Sequence, residues 1–249
     1  MGVPNAPDIM RYDGSMKAWT RTGAWAGWFW REWLRPLLVV GIVLGSFRSA
    51  VADWNDVPSG SMEPTILPGD RVFVNKLAYD LKIPFTTWQL ARWADPRRGD
   101  VVVLWSPHDG QRLVKRVVGI PGDVIELRRY RLTVNGRRAS YAALSAPFAQ
   151  ARDLQRLPLD QMTLEGVEGR THAVMAAGES GPGSDMGPIV VPPGAYFLMG
   201  DHRDNSFDSR FWGFAERGAI VGRASAVVLS VDLGARYLPR WHRFFLPLS

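Results

Sequence analysis

A chain of 249 residues is long enough for one ordinary domain plus an anchor, and it has no cysteine, which excludes a disulfide framework and Cys-based metal or redox chemistry. Its formal charge of +6 comes from scattered arginines without a nucleic-acid-binding motif, so nucleic acid is not an expected partner. There is neither a metal-ligand spacing such as His-Glu-x-x-His nor a phosphate-cradling glycine loop, so no metal and no nucleotide cofactor is expected.

Residues 1–22 are polar with Gly and Pro and read as loose, and Trp25, Trp28, Trp30 and Trp33 form an aromatic belt ahead of an apolar run. Pro36 to Phe47 carries no charge, and the run resumes after Arg48 as far as Ala52. At roughly 17–20 residues it is near the minimum for a spanning helix. Arg48, near one end, is placed to snorkel to the headgroups. Lys17, Arg21, Arg31 and Arg35 precede the run, whereas Asp53 and Asp56 follow it. That asymmetry puts the N-terminus in the cytoplasm and everything after about residue 53 outside. The expected organisation is a cytoplasmic and interfacial segment over 1–33, a single-pass anchor over 34–53 and an extracytoplasmic domain over 54–249. A cleaved secretory signal disagrees with the long aromatic leader. A non-spanning interfacial helix and a buried core helix are the remaining readings.

Beyond the anchor the pattern turns to strands. Arg71–Val74, Val101–Trp105 and Leu113–Val118 are β-like. Val124–Leu127 and Arg131–Val134 pair as a hairpin, with Asn135-Gly136 as the next turn. Ala195–Met199 and a long final strand over Ala219–Val231 follow. Phe85–Trp93 and Ala142–Leu154 are short helix candidates, and 176–188 is a Gly/Pro-rich loop. The fold class predicted is mostly β: an antiparallel catalytic domain with a smaller inserted β-region at about 137–190, preceded by one transmembrane helix.

Three segments carry candidate chemistry. Ser61 lies where Pro58, Gly60, Pro64, Pro68 and Gly69 prevent regular structure, which exposes a hydroxyl and frees backbone N–H groups for a developing oxyanion. Ser59 is placed to lend its hydroxyl to the same oxygen. Ordinary turn chemistry accounts for Ser-Gly-Ser equally well in isolation. Lys115 is one of four lysines among 30 basic residues, and strand alternation sets it on one face with Leu113 and Val117. Desolvation there lowers an amine's pKa and makes it a general base, which an arginine cannot be. A strand lysine reaching outward to solvent is the competing reading. The third segment, residues 200–213, is a dense polar loop after an apolar strand. In it Ser206 is placed to orient an amine, and Asp208 and Arg210 to form an ion pair. A solvated turn fits it too, and His202, flanked by Asp201 and Asp204, offers a Ser-His-Asp arrangement with Ser61.

Taken together these segments resemble the type I signal peptidases of bacteria, membrane serine endopeptidases with a Ser/Lys dyad. The matching stretches are Val57-Pro58-Ser59-Gly60-Ser61-Met62-Glu63-Pro64-Thr65, residues 69–76 (GDRVFVNK), 97–103 (RRGDVVV), 115–123 (KRVVGIPGD) and 200–213 (GDHRDNSFDSRFWG). They occur in order and cover most of 57–224. The resemblance implies Ser61 as nucleophile and Lys115 as general base, with Ser59 and the Ser61 N–H as oxyanion hole. It implies that Ser206 orients the lysine, that Asp208 with Arg210 buttresses the site, and that Arg116 supports it. It also implies signal peptides of exported preproteins as partners, cleaved after small residues at −1 and −3, at the outer side of the cytoplasmic membrane. Val57, Pro58, Met62, Ile66 and Val114 are candidate walls for the shallow pockets that would select small side chains; ordinary core packing is the competing reading. His202 stands where the family commonly has asparagine, Phe207 is bulkier than in some relatives, and there is one anchor rather than two. A processing peptidase dedicated to conjugation or pilus assembly, and an inactive membrane-anchored module that binds precursors, are the alternatives. The basic-aromatic tail, 236–246, is expected either at the membrane surface or packed on the domain.

Overall fold

The computed structural model describes Trp25, residues 28–86 and residues 88–248. The expected loose segment over 1–22, with Lys17 and Arg21, lies outside them. The chain forms two units, one ending at Gly45 and one running from Ser46.

In the first unit a π-helical turn, Trp30–Leu34, continues into α1, Arg35–Ala50. Its Leu, Val and Ile residues favour a helix, and Pro36 sits in its first α-helical turn, next to Arg35. Trp30–Ala50 is 21 residues, long and apolar enough to cross a bilayer; at about 1.5 Å per residue that is roughly 31 Å. The side chains from Trp30 to Leu44 are exposed or nearly so, as in a helix whose partner is lipid.

The second unit begins with the last turn of α1. Lys76 Nζ donates to the Arg48 and Ser49 carbonyls, 3.0 Å each, and so satisfies acceptors that a helix end leaves open. Ala52 and Asp53, placed by the sequence within the anchor, are instead paired in β1. The strands are β1 (Ala52–Asp56), β2 (Asp70–Asn75), β3 (Asp80–Lys82), β4 (Gln89–Arg92), β5 (Val101–Trp105), β6 (Arg112–Gly119), β7 (Val124–Arg128), β8 (Arg131–Val134), β9 (Arg137–Arg138), β10 (Ser140–Ala143), β11 (Met162–Val167), β12 (Arg170–Met175), β13 (Met186–Val190), β14 (Ala195–Met199), β15 (Ala215–Glu216) and β16 (Ile220–Asp232). The largest sheet runs β1-β2-β16-β5-β6-β14-β15 and pairs antiparallel throughout. Separate from it are a four-stranded sheet, β13-β7-β8-β9, and a three-stranded sheet, β10-β11-β12. Fold class and sequence expectation agree: mostly antiparallel β after one apolar helix.

Val101, Val103, Val72, Val74 and Val227 belong to one buried cluster, and Val102, Leu104, Val117 and Leu198 to a second. β5 contributes to both, because a central strand is covered on both faces and its apolar run need not alternate. At about 1.5–3 kcal/mol per buried aliphatic side chain, these clusters are a major source of stability.

Both short helix candidates are corrected. Phe85–Trp93 contains β4, whose Arg92 and Ala91 pair with Asp80 and Leu81 of β3. Pro84 and a left-handed Phe85 (φ 63°) make the hairpin turn, and Thr86 resists helix. Ala142–Leu154 divides: β10 pairs with β11, and only α2, Ala146–Ala151, is helical. Ser145 caps it through its hydroxyl, and Pro147 sits in its first turn. The Gly/Pro-rich loop over 176–188 ends in the first residues of β13, which pairs with β7. The Asn135-Gly136 turn is left-handed at both residues (φ 51° and 76°), which joins β8 to β9.

The tail packs on the domain. Arg243, fully buried, donates to both Asp70 oxygens at 3.2 and 2.6 Å, and Leu246 pairs with Val227. Tyr237, Trp241 and Phe245 remain exposed.

Candidate active site

Ser61 sits in the turn-rich connection between β1 and β2. The ends of that connection are closed by the Val57 N–H on the Asp70 carbonyl (2.9 Å) and the Gly69 N–H on the Val57 carbonyl (3.0 Å). Inside it the Glu63 N–H reaches the Gly60 carbonyl and the Ile66 N–H the Met62 carbonyl, so the chain makes successive turns about Ser61. Met62 and Ile66 point into the core with Val57 and Val114, all four buried, whereas Pro58 and Ser59 are exposed and Ser61 is half-buried. The five candidate pocket residues therefore divide into four packed in one buried core cluster, as the core-packing reading expects, and one surface proline. No hydrogen bond engages the Ser61 N–H among the described residues.

Lys115 is on β6, opposite Val102 of β5, and is 2% exposed. Its Nζ lies 2.9 Å from Ser61 Oγ and 3.0 Å from Ser206 Oγ. Burial pushes its pKa down to about 8; Asp208 and Asp201 pull it up, and Arg210 pulls it down. Burial prevails because each carboxylate is already neutralised by a guanidinium. Arg210 grips Asp208 through Nε (2.8 Å) and Nη2 (2.8 Å), with both side chains fully buried. Arg116 grips Asp201 through Nε (2.8 Å) and Nη2 (2.7 Å).

Ser206 is held by the loop after β14. Asp208 accepts the Gly200 N–H (2.9 Å) and caps the short helix α3, Ser209–Trp212, while Arg210 Nη2 reaches the Ser206 carbonyl at 3.4 Å. Asp208 and Arg210 thus fasten both ends of the segment bearing Ser206.

His202 does not meet the Ser61 hydroxyl. Its Nδ1 is 3.2 Å from both the Gly60 carbonyl and Glu63 Oε2, and its Nε2 is 3.3 Å from Asp204 Oδ1. Its backbone N–H donates to the Ser61 carbonyl at 3.2 Å. Both ring nitrogens are thus directed at other groups, and the Ser-His-Asp arrangement with Ser61 is not formed. Phe207 is half exposed, stacks on Phe211 and meets His108 edge-on.

Sequence reasoning passed over several residues. Gly200 is one: a Cβ there would overlap the Ser61 carbonyl oxygen and Ser206 Oγ, so the approach of the two serine-bearing segments requires glycine. Its position directly after an apolar strand and before the polar loop was the available signal. Gly200→Ala is expected to spread those segments and cut turnover by roughly 10²-fold, while KM changes little; steady-state kinetics on a peptide substrate check it. Thr65, which donates to Asp201 (2.5 Å), and the Glu165–Arg203 pair (2.8 and 2.6 Å) were also missed. Their partners are distant in sequence, and no local pattern marks them. The loop is further locked to β12 by the Met175 N–H on the Asp201 carbonyl (2.9 Å) and the Arg203 N–H on the Met175 carbonyl (2.7 Å).

A hydroxyl within hydrogen-bond reach of a buried amine, beside an unused backbone N–H, is suited to acyl transfer: the neutral amine accepts the proton as the oxygen attacks. Comparison with known proteins identifies the family. The profile of the family described as signal peptidase, peptidase S26, matches residues 30–229. A signal peptidase I from Pseudomonas fluorescens is 38% identical over 210 residues, 78% of this chain and 70% of that protein. One from Pseudomonas aeruginosa is 35% identical over 207 residues, with 78% and 70% covered. A crystal structure of a signal peptidase I from Enterococcus faecalis is 29% identical and covers 53% of this chain and 97% of its own, with a TM-score of 0.33, too loose a superposition to bear on the fold. On the family match and these identities, the chain belongs to the signal peptidase family, peptidase S26, and is a serine peptidase.

Proposed function

We propose that this protein is a membrane-anchored endopeptidase that removes signal peptides from exported preproteins, with Ser61 as nucleophile and Lys115 as general base. The observation that carries the reading is the buried Lys115 amine, shared between Ser61 Oγ (2.9 Å) and Ser206 Oγ (3.0 Å) with its pKa pushed down to about 8. The family assignment supports the substrate class.

In the acylation step neutral Lys115 takes the Ser61 hydroxyl proton as Oγ bonds to the scissile carbonyl carbon. The oxygen that becomes negative is met by the Ser61 N–H and the Ser59 hydroxyl. The Lys115 ammonium then protonates the departing amine of the mature protein, and the signal peptide is left as an ester on Ser61. Water, relieved of a proton by Lys115, attacks the ester; the carboxylate of the signal peptide leaves and Ser61 recovers its proton. Ser206 orients the amine. Arg210, Asp208, Asp201 and Arg116 hold the surrounding backbone without exchanging protons. The apolar floor of Val57, Met62, Ile66 and Val114, with Pro58 at its edge, admits small side chains and excludes large ones. The helix over Trp30–Ala50 anchors the enzyme, with its N-terminus cytoplasmic and the β-rich domain on the extracytoplasmic side.

Cleavage of a purified preprotein in detergent tests this. Ser61→Ala is expected to lose roughly 10³-fold or more in kcat/KM, and acid quenching of the wild type should leave a signal-peptide adduct on Ser61 by mass spectrometry. His202→Asn should retain most activity. Wild-type turnover by Ser61→Ala would remove Ser61 from its role, and a wild type that leaves small-residue sites uncut would remove the substrate class.

A further inference from the structure

A cavity of about 530 Å³ lies beside the last turn of α1 and takes no part in the chemistry above. It is lined by Lys76, Lys82 and Arg112 and by the rings of Phe85, Trp88 and Trp105, with Ser49 at its edge. Its charge is one-sided: three cations line it and, among the described residues, no carboxylate does. The carboxylates paired with these cations are shared with others. Asp53 also accepts from Arg48 Nε (2.8 Å), and Asp80 from Arg217 Nη2 (2.7 Å) and Gln89 Nε2 (3.0 Å).

Donor capacity is left over. Arg112 Nε is buried with no acceptor, and Lys82 spends its ammonium on the Ile220 carbonyl (3.0 Å) and a longer contact to Asp80 (3.4 Å). Burial lowers the pKa of both Lys76 and Lys82 and prevails over the opposing pull of Asp53 and Asp80, with Arg112 adding to the lowering at Lys76 and Arg217 at Lys82. An anion in the cavity would favour the charged form of both amines.

The aromatic rim narrows the choice of anion. Phe85 and Trp88 are more than two-thirds exposed, and Ile83 and Leu90 on the same hairpin are exposed as well. Water is a poor environment for four such side chains, and the glycerol and upper acyl region of a bilayer is a good one for aromatic rings. The rim is tied to the helix by the Phe85 N–H, which donates to Ser49 Oγ at 2.8 Å. A helix that spans the hydrocarbon ends at the headgroups, so its last turn sets the depth of the cavity.

We propose that this cavity binds the headgroup of an anionic phospholipid, with Lys82 and Arg112 on the phosphate, Lys76 as a third charge, and Phe85 and Trp88 against the glycerol and first acyl carbons. The proposal rests on the membrane-spanning reading of α1. A basic pocket at the foot of a spanning helix is a physical basis for headgroup recognition.

The test uses the full chain in neutral detergent, titrated with phosphatidylglycerol or phosphatidylcholine and read by native mass spectrometry. Wild type should retain phosphatidylglycerol in preference to phosphatidylcholine. The double variant Lys82→Gln/Arg112→Gln should bind phosphatidylglycerol roughly ten- to thirty-fold more weakly, since each basic residue near an anionic lipid contributes several-fold. Trp88→Ala should weaken it with every charge in place, and inorganic phosphate at matching concentration should not displace it. Equal affinity in wild type and both variants overturns the proposal, as does equal retention of the two lipids. Displacement by inorganic phosphate would mean a free-anion site and overturns the lipid assignment. If the double variant fails to fold, as judged by lost peptide cleavage and lowered melting temperature, Trp88→Ala decides. Protease accessibility in sealed vesicles reports separately on the topology, so a wrong orientation and an empty cavity give different results.

Discussion

Lys115→Met is expected to abolish cleavage and, in the same protein, to raise stability at pH 7. The two effects have one cause. In the proposed mechanism the amine serves as a base because burial disfavours its ammonium form, bringing its pKa from 10.5 to about 8. That displacement corresponds to about 3 kcal/mol against the charged form in the folded state. Below about pH 8 the lysine is protonated both folded and unfolded, and the full penalty is present. Between about 8 and 10.5 the unfolded chain binds more protons than the folded one, so stability rises with pH; above 10.5 the penalty is gone. Methionine has similar volume and no charge. The variant should therefore melt higher at pH 7, by roughly 6–12 °C, with the gap closing towards pH 10.5. Its kcat/KM should fall by roughly 10³-fold or more. The wild-type rate should climb with pH and level off above about 8, as the free amine becomes the major form. Thermal melts of both proteins at pH 7 and pH 10, beside a pH–rate profile, check the set. A variant that is inactive but less stable at pH 7 would contradict the burial argument while leaving the base untouched.

Glu165→Ala is expected to cost about 3–5 kcal/mol, by stranding a buried charge. Glu165 on β11 is fully buried and accepts from Arg203 Nη1 and Nη2 and from the Tyr141 hydroxyl. Burial alone would raise its pKa; Arg203, His172 and their hydrogen bonds overcome that and hold it well below the usual carboxylate range. Its contribution is therefore present above the unfolded pKa near 4.5 and lost as pH falls through the lower folded value. Without the carboxylate, the one side-chain hydrogen bond left to Arg203, 2% exposed, among the described residues is a long contact from Nη1 to the Tyr130 carbonyl (3.4 Å), with Asp201 acting on it through charge alone. The double change Glu165→Leu/Arg203→Met should recover most of the loss, since a pair removed together leaves no charge behind. Urea denaturation at pH 7 measures both. If Glu165→Ala costs under 1 kcal/mol, water reaches Arg203 and the pair is not sealed.

The residues proposed to do the chemistry were easier to read from sequence than those that hold them. Ser61 and Lys115 were legible because a serine among glycines and prolines and a rare lysine in a β-run each contradict the local pattern. Their meeting across 54 positions depends on β5–β6 pairing beside the loop after β1, and only the resemblance to a family supplied that. The helix candidates at 85–93 and 142–154 failed because turn chemistry at Pro84 and Ser145-Ala146-Pro147 outweighed weak apolar spacing. Gly200 was only partly legible, for another reason. Its constraint comes from Ser206 in the same loop and from the Ser61 carbonyl about 140 residues earlier, and its place between an apolar strand and a polar loop hints at a tight approach without naming either partner. Buried ion pairs such as Arg116–Asp201 share that property: each member looks like a surface charge until its partner is placed.

The pairing of β2 with β16 has a consequence in time. Asp70 and Asn75 are in register with Ser230 and Arg223, so the strand that follows the Ser61 connection is completed only by one near the end of the chain. Lys115 and Ser206 enter between them. A growing polypeptide therefore carries Ser61, the proposed nucleophile, before the strand that completes this sheet has been made. Such late closure is slow, because distant segments must meet before either is stable. It also means that the sheet framing Ser61 and Lys115 is complete only once β16 has joined both β2 and β5.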